Sequence, residues 1–286
     1  MKIAVLGTGV MGYSVARRFL SSGKEVIVYN RTKSRALSLK KQGAQIADNA
    51  FSAVCSADYI ITLLTDYSAI NKVLFHPKLK TLEKKTVVQM STILPRESFI
   101  LKSRVEKMRG IYVECPVLGN KHQAEEGALL AMVGSLKAQF NKVKWLLKIL
   151  DPSPKYIGNV PKAAALKLAL NNLIAFHAAG FSLSLGLVEK EGINPGIFAG
   201  ILRRSSLYAP MFDKKLRNWL KRDYDNPNFV TRHLLKDIEL VIKEADLRNI
   251  SSLVPAAIKK EVQKAITLGF GEKDYSSIFN AINRLC

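Results

Sequence analysis

The chain has 286 residues, and at roughly 150 residues per domain this length favours two domains. Hydrophobic residues make up 48% of the chain and charged residues 23%, which excludes the extreme compositions of disordered and fibrous proteins. The 44 Lys and Arg residues outnumber the 23 Asp and Glu residues, and the formal net charge of +21 favours anionic ligands without naming one.

The cysteines exclude two common kinds of small scaffold. Cys55, Cys115 and Cys286 are far apart in the chain and form no CxxC pair or Cys/His cluster. This spacing excludes a disulfide framework and a structural zinc site, and we expect no metal.

Targeting patterns predict a cytoplasmic protein. The N-terminal apolar run is short, meets glycines at once and has no small-residue cleavage site. The apolar stretch at 168–188 is about long enough to cross a bilayer, but it contains Asn171, Asn172 and His177. Because such polar groups are costly in lipid, we expect a buried helix and no membrane contact.

Short β-branched runs alternate with helical patterns up to about residue 160. The runs lie at 2–6, 25–29, 59–64, 86–90, 112–115 and 129–133. This alternation predicts an α/β domain with a mostly parallel, helix-covered sheet.

A proline-rich segment at 151–162 marks the expected domain boundary, giving domains at 1–160 and 161–286. Beyond it we find no convincing strand, while helical periods recur. They lie at 163–190, 195–204, 229–249 and 254–269. The second domain is therefore predicted to be all-α.

A GxGxxG motif follows the first predicted strand. Gly7 permits a tight turn, Gly9 lets the backbone approach a pyrophosphate, and Gly12 allows close packing of helix on strand. Val10 and Met11 open the helix whose N-terminus would meet the anion. The order strand, turn, helix and strand predicts a dinucleotide site in a doubly wound Rossmann domain.

The residues after the second strand discriminate between cofactors. NAD sites usually place Asp or Glu there, but this chain has Asn30, Arg31 and Thr32. Arg31 can pair with a 2′-phosphate and Thr32 can donate a hydroxyl hydrogen bond, which favours NADP(H) over NAD(H). The alternative is an ordinary polar strand exit.

The densest basic stretch, at 203–222, surrounds three aromatic residues. Such a stretch can suit phosphates and stacked bases, but no recognition motif accompanies it. We therefore expect a solvated helical face and no nucleic-acid partner.

Five motifs in order carry a family resemblance. They are GxGxMG at 7–12, MSTxxP at 90–95, PVxG and AxxG within 116–127, KxxxN at 167–171 and LLKDIEL at 234–240. Together they resemble the β-hydroxyacid dehydrogenase family, which includes 3-hydroxyisobutyrate dehydrogenase and the glyoxylate/succinic semialdehyde reductases. NRT at 30–32 and GNKHQAEEG at 119–127 resemble the NADPH-dependent semialdehyde reductase branch.

The resemblance implies a Rossmann domain and an all-α domain joined through a long interdomain helix, with a substrate cleft between domains and a homo-oligomer built on that helix. It implies that Lys167 is the catalytic lysine, that Asn171 positions the substrate, and that Thr92 lines the nicotinamide and substrate pocket. The other residues implied for cofactor binding are Leu64, Thr65 and Lys236. The other residues implied for substrate binding are Leu118, Gly119, Asn120, Phe229 and Asp237.

One position departs from the family pattern. Many members have serine where this chain has Leu118, and leucine cannot donate a hydrogen bond to a substrate carboxylate. The backbone N–H groups of Gly119 and Asn120 remain as donors, so a carboxylate is still accommodated, while a more apolar aldehyde or ketone also becomes a candidate.

The sequence thus predicts an NADPH-dependent reductase of small aldehydes or keto acids, with Lys167 as general acid. Three alternatives stay open: oxidation of a β-hydroxy acid of the 3-hydroxyisobutyrate dehydrogenase type, imine reduction, and NADPH binding without catalysis. By the resemblance, imine-reducing relatives usually carry another acid at the lysine position and non-catalytic relatives lose the lysine, so Lys167 argues against the last two.

Overall fold

The computed structural model describes residues 1–283 and divides the chain into two compact units. The first unit is Met1–Lys167 and the second begins at Leu168. Cys286 lies outside the described residues. The chain passes from one unit to the other within a single helix.

The first unit is a Rossmann-type α/β domain. Its described strands are β1 (Lys2–Leu6), β2 (Glu25–Tyr29), β3 (Gln45–Ile46), β4 (Tyr59–Thr62), β5 (Thr86–Gln89), β6 (Ile111–Glu114), β7 (Val117–Leu118), β8 (Leu130–Gly134) and β9 (Lys155–Gly158). Its described helices are α1 (Val10–Ser21), α2 (Leu37–Lys40), α3 (Ala50–Ser56), α4 (Tyr67–Leu74), α5 (Pro95–Lys107), α6 (Lys121–Glu126) and α7 (Lys137–Leu147).

The sheet has the strand order β3-β2-β1-β4-β5-β6-β8-β7, with β9 paired to β8. Strands β1 to β6 pair in parallel, and β8 runs antiparallel to both β6 and β7. The order reverses between β1 and β4, the place where ligands bind at the carboxyl ends of strands in doubly wound sheets.

Both faces of the sheet are covered by helices, and the strand sequences show why. Ile3 and Val5 pack in the cluster that includes α1 and α7, while Ala4 and Leu6 pack in the cluster of α3, α4 and α5. Successive strand side chains point to opposite faces, so a strand covered on both faces is apolar throughout. This is why the parallel strands were predictable from short apolar runs.

The predicted strands are confirmed, and the structure adds β3, β7 and β9. Strand β9 lies inside the proline-rich segment that we interpreted as a boundary. Pro152 and Pro154 precede β9 and Pro161 follows it, so no proline removes a donor from its parallel pairing with β8.

The turn between β1 and α1 is packed too tightly for side chains at two positions. Gly7 has a φ of +99°, and a Cβ built there would lie 2.3 Å from the carbonyl oxygen of Leu63 after β4. A Cβ at Gly12 would lie 1.9 Å from the carbonyl oxygen of Gly7. At Gly9, a Cβ would meet no atom within 4 Å.

The second unit is helical. Helix α8 (Lys162–Lys190) begins in the first unit, and the described helices that follow are α9 (Pro195–Arg203), α10 (Pro210–Lys221), α11 (Thr231–Leu247), α12 (Leu253–Ala265) and α13 (Ile278–Ile282). A π-helical turn, Ile266–Phe270, and a 3₁₀ turn, Tyr275–Ser277, lie between α12 and α13. The all-α prediction for this domain is confirmed. Helix α13 lies outside the predicted helical ranges, and α10 lies in the basic stretch that we expected to form a solvated helical face.

Helix α10 carries most of the basic stretch. Its Phe212 and Trp219 are buried in an aromatic cluster, with Trp219 stacked on Phe181 of α8 at a ring-centroid distance of 4.3 Å. Lys215, on the same face, is also buried and pairs with Asp274 at 2.6 Å. The remaining basic side chains of the helix, Lys214, Arg217 and Lys221, are exposed.

Among residues 1–283, α8 is the one helix that is long and apolar enough to cross a membrane by length and composition. Within its most apolar window, 39% of the residues are buried in the chain itself. Core helices of water-soluble proteins meet the same criterion.

We predict that Gly12→Ala lowers the free energy of unfolding of the first unit by about 3 kcal/mol, because the added methyl overlaps the carbonyl oxygen of Gly7. The matched control Gly9→Ala places a methyl in open space at an ordinary φ of −68° and should cost no more than about 1 kcal/mol, the loss expected when alanine replaces glycine at an N-cap. Urea unfolding of both variants tests this expectation, and equal losses would contradict it.

Candidate functional site

The turn between β1 and α1 has the properties of a pyrophosphate cradle. The first turn of α1 contains no acidic residue, and no side chain caps its N-terminus. The hydroxyl of Thr8 is buried and has no hydrogen-bond partner among residues 1–283, and Gly9 leaves space beside it. Free helical N–H groups, an unsatisfied hydroxyl and an open glycine fit an anion at this helix N-terminus.

Asn30 ties the exit of β2 to this turn. The Thr8 N–H donates to Asn30 Oδ1 at 3.0 Å, and Asn30 Nδ2 donates to the carbonyl oxygen of Thr32 at 2.9 Å. Asn30 therefore fixes the loop in which Arg31 and Thr32 are both exposed. The predicted cofactor residues of the first two strand exits lie in one connected loop system.

The exits of β4 and β5 are joined by Ser91. The Leu64 N–H donates to Ser91 Oγ at 2.8 Å, and Ser91 Oγ donates to the carbonyl oxygen of Thr62 at 3.3 Å. Thr65 is exposed and Thr92 is half-buried at the same carboxyl edge of the sheet. These bonds bring Leu64, Thr65 and Thr92 to the edge at which the strand order reverses.

The predicted substrate segment 118–120 forms the end of β7 and the start of α6. Leu118 is half-buried and pairs across the strands with Leu130, which is 59% exposed. Gly119 has a φ of +146°, a conformation that favours glycine. Two leucines therefore stand side by side on one face of this ribbon.

Asn120 is already committed to a capping box. Its side chain accepts from the Gln123 N–H at 3.0 Å, and its own N–H donates to Gln123 Oε1 at 3.1 Å. In this arrangement Gly119 N–H is left as the backbone donor that the sequence offered for a carboxylate.

Helix α6 is braced against α1. Glu125 accepts from Ser14 Oγ at 3.1 Å and from Arg17 at 3.0 Å. Gly127 ends α6 in the left-handed conformation, where a Cβ would lie 2.6 Å from the carbonyl oxygen of Ile149. Contacts with α1 therefore hold the segment that carries Leu118.

Lys167 and Asn171 lie one turn apart on α8, and their side chains are 8% and 4% exposed. Positions i and i+4 of a helix share one face. Burial of a lysine ammonium is costly unless its charge is compensated, so a buried lysine at this position is held by specific interactions.

In the second unit, Asn171 contacts the LLKDIEL motif of α11. Asn171 Nδ2 donates to Asp237 Oδ2 at 2.6 Å, and Lys236 Nζ lies 2.8 Å from Asp237 Oδ1. Asp237 is 3% exposed. Three residues that the sequence proposed separately therefore form one buried cluster, and Asn171 Oδ1 has no hydrogen-bond partner among residues 1–283.

Phe229 lies just before α11, half-buried, with its ring 5.9 Å from that of Tyr275 and 6.2 Å from that of His233. It packs against the apolar cluster that contains Leu234 and Ile238. Its position next to the helix that carries Asp237 follows from this packing.

Sequence reasoning missed a buried carboxyl group at the end of β6. Glu114 is fully buried, and its carboxylate accepts from Ser98 Oγ at 2.6 Å and from the Ala163 N–H at 2.8 Å. Burial raises the pKa of the Glu114 carboxyl, while the hydrogen bonds from Ser98 and Ala163 act in the opposite direction. An acidic residue closing an apolar strand run was the available signal.

The cysteines take no part in these arrangements. Cys55 is exposed and Cys115 is buried, both as free thiols, and burial raises the pKa of the Cys115 thiol. Among residues 1–283, no group of three or more His, Cys, Asp or Glu side chains is placed to hold a metal ion.

Comparison with known proteins covers nearly the whole chain. A family profile described as the NAD binding domain of 6-phosphogluconate dehydrogenase matches residues 2–158. A second profile, described as NAD-binding of NADP-dependent 3-hydroxyisobutyrate dehydrogenase, matches residues 162–282.

Similar proteins include glyoxylate/succinic semialdehyde reductase 1 of Arabidopsis thaliana, which is 30% identical over 99% of this chain and 98% of its own length. The protein named cytokine-like nuclear factor N-PAC of Drosophila melanogaster is 26% identical over 96% of this chain and 46% of its own length. The crystal structure of a 3-hydroxyisobutyrate dehydrogenase from Salmonella typhimurium has the same fold, with a TM-score of 0.88 at 20% identity, covering 98% of this chain and 99% of that one.

The two profile matches cover the regions that contain the glycine turn and the other ordered motifs. The chain belongs to the β-hydroxyacid dehydrogenase family and is an NAD(P)-dependent oxidoreductase.

Proposed function

We propose that this chain is an NADPH-dependent reductase of small aldehydes or keto acids, in which Lys167 is the general acid. The observation that carries the proposal is the buried pair Lys167 and Asn171, one turn apart on α8, with Asn171 held by Asp237. The name of the Arabidopsis relative supports the substrate class.

Lys167 has a direct role in the proposed reduction of a carbonyl group. Bound NADPH supplies the hydride. As the carbonyl carbon accepts it, negative charge develops on the oxygen and must be neutralised. The Lys167 ammonium donates a proton to that oxygen, so an N–H bond breaks and an O–H bond forms. Solvent then reprotonates the lysine.

Asn171 would hold the same oxygen. An amide nitrogen carries two N–H groups, and one is used by Asp237, so the other remains for a carbonyl oxygen. Asn171 Oδ1 is buried and unsatisfied, a state that costs about 1–3 kcal/mol, and the hydroxyl of the product alcohol would satisfy it. The carboxylate of Asp237 therefore sets the direction in which the amide points.

The pocket would favour an apolar substituent over a carboxylate. Leu118 cannot donate a hydrogen bond, and the Asn120 N–H is taken by Gln123. The recognition of a substrate carboxylate would depend on the Gly119 N–H, while Leu118 and Leu130 offer apolar contact on one face.

The preference for NADP(H) rests on the loop after β2. Residues 30–32 contain no carboxylate that could accept a hydrogen bond from a ribose hydroxyl or repel a 2′-phosphate. Arg31 and Thr32 are exposed and can donate hydrogen bonds. The profile that matches the second half of the chain is described for an NADP-dependent enzyme, which supports this choice.

We expect Lys167→Ala to lower kcat by about 100- to 10,000-fold while NADPH still binds, because the proton donor is lost and the glycine turn is intact. NADPH consumption would be followed with glyoxylate, succinic semialdehyde and an apolar aldehyde. Lys162→Ala is the control, since this lysine is on the same helix but exposed. Full turnover by Lys167→Ala would reject the proposed role.

The same assay separates the alternatives. Faster oxidation of a β-hydroxy acid with NAD at alkaline pH would favour the 3-hydroxyisobutyrate dehydrogenase reaction. Turnover of cyclic imines that survives Lys167→Ala would favour imine reduction. NADPH binding with no turnover of any substrate would favour a non-catalytic role.

Arg31→Ala should raise the KM for NADPH by about 10- to 100-fold, the loss expected when one charge-assisted contact to a phosphate is removed. The KM for NADH should stay unchanged, because NADH has no 2′-phosphate. Steady-state kinetics with both cofactors measures the ratio. An unaltered preference would show that Arg31 does not read the phosphate.

The homo-oligomer implied by the family resemblance is also proposed, on the exposed face of α8. Leu173, Leu183 and Leu187 are 50%, 55% and 60% exposed, and with Ala169, Phe176 and Gly180 they follow alternating spacings of three and four residues. This spacing forms one continuous stripe, and such stripes pair helices in oligomers. A second copy of the chain is the proposed occupant.

Leu183→Glu should shift the purified protein from dimer or higher oligomer toward monomer, because a charge would be buried at the paired stripe. Sedimentation velocity gives the mass of each species, and Lys214→Glu at an exposed position of α10 is the control for added negative charge. A monomeric native protein, or native protein that sediments only with lipid vesicles, would reject the homo-oligomer.

A further inference from the structure

Helix α8 begins without a cap of its own. The carbonyl oxygen of Pro161 accepts the first helical bond, from the Ala165 N–H at 3.2 Å, so Pro161 occupies the N-cap position. Proline has no side-chain acceptor for the N–H groups of the first turn, which normally bond to Ser, Thr, Asp or Asn at that position. A buried helix start requires another acceptor.

Glu114 supplies this acceptor from the end of β6. Its Oε1 lies 2.8 Å from the Ala163 nitrogen, in the place of a local N-cap side chain. The carboxylate fits there because its cross-strand partner on β8 is Gly134, where a Cβ would lie only 2.1 Å from Glu114 Oε1. Strand pairing and a glycine therefore aim the carboxylate at the helix.

The carboxylate is itself fixed by a buried hydrogen-bonded chain. Ser98 Oγ on α5 donates to Glu114 Oε2 at 2.6 Å and lies 2.9 Å from Tyr112 Oη on β6. Bulk water does not compete for these hydrogen bonds, because Ser98, Tyr112 and Glu114 are all fully buried. Gln89 lies opposite Glu114 on the neighbouring strand β5 and donates to the carbonyl oxygen of Ser91, next to Thr92.

The face of α8 that begins at this anchor is the face of the proposed site. Ala163, Lys167 and Asn171 are spaced by four residues, so they lie on successive turns of one face. In an α-helix the Lys167 N–H also bonds to the carbonyl oxygen of Ala163. A shift of the first turn therefore moves Lys167 directly.

We infer that Glu114 is a positioning residue: as an N-cap supplied from the sheet, it fixes the first turn of α8 and, through it, the place of Lys167. The inference rests on the proposed function for its catalytic consequence and on geometry alone for the anchoring. Displacement of a reacting group by about 1 Å is enough to cost about 100-fold in rate.

The test compares Glu114→Met with Glu114→Gln by hydrogen exchange of the Ala163 amide in the full chain. Methionine has the length of glutamate without an acceptor, so exchange should become faster by about 5-fold or more. Glutamine keeps an acceptor for Ala163 and can donate to Ser98, so it should restore exchange close to the native rate.

Asp151→Leu is the matched control for general loss of stability. Asp151 is another buried carboxylate of the first unit, and it accepts from the Ala131 and Ser153 N–H groups, each at 2.8 Å. At an equal fall in Tm, the control should leave Ala163 exchange and kcat near native, while Glu114→Met should lower kcat by about 10- to 100-fold with the Kd for NADPH unchanged.

The inference would be overturned if folded Glu114→Met exchanged the Ala163 amide at the native rate. It would also be overturned if Asp151→Leu changed this exchange rate and kcat as much as Glu114→Met does. If Glu114→Met does not fold, Ser98→Ala removes one bond that orients the carboxylate and should speed Ala163 exchange in the same direction; an unchanged rate would overturn it as well. If the native chain reduces no carbonyl compound, the proposed function fails, while Ala163 exchange still decides the anchoring.

Discussion

The structure of the first unit depends on the contact between the turn after β1 and the end of β4. Gly7 lies so close to the Leu63 carbonyl oxygen that no side chain fits, and its left-handed backbone is one that other residues adopt only with strain. Gly12 then brings α1 onto Gly7. These approaches place the N-terminus of α1 at the point where the strand order reverses, and leave Gly9 as the open side of the cradle.

Three buried carboxylates show how other groups of the protein compensate buried negative charge. Asp274 is paired with a lysine, Lys215, at 2.6 Å. Asp237 is paired with Lys236 and with the amide of Asn171. Glu114 accepts from a hydroxyl and from a helix N-terminus, neither of which is a cation. The first arrangement joins α10 to the segment before α13, whereas the second and third contact residues of the proposed site.

The fold was largely predictable because its determinants are local. The strands at 2–6 and 25–29 have the predicted bounds, since parallel strands buried on both faces are short apolar runs and the glycine motif fixes the turn between them. Strand β9 was not predictable in this way, because its pairing with β8 lies in tertiary contacts and its flanking prolines resemble a linker. The buried face of α10 was obscured by its basic residues, which predicted a solvated helix, although Phe212 and Trp219 lie seven residues apart on that face.

The candidate site likewise contains residues that the sequence predicted and contacts that it did not. The glycines carry their chemistry in sequence spacing, and Lys167 and Asn171 could be proposed from the resemblance of their motif to the family's. The bond between Asn171 and Asp237 spans 66 residues and that between Glu114 and Ala163 spans 49, so no local pattern contains either. What sequence reasoning lacked was the set of residues that orient the functional groups, because orientation is a property of packing.

The departure at Leu118 becomes more consequential once the loop geometry is known. A leucine in place of a hydroxyl removes one donor, but a backbone N–H can replace it if that N–H is available. The capping box of α6 engages the Asn120 N–H with Gln123, and Glu125 of the same short helix accepts from Ser14 of α1. Release of the Asn120 N–H to a substrate carboxylate would break one hydrogen bond of the cap. We therefore expect the proposed pocket to depend on the Gly119 N–H for a carboxylate and to favour apolar contact with Leu118.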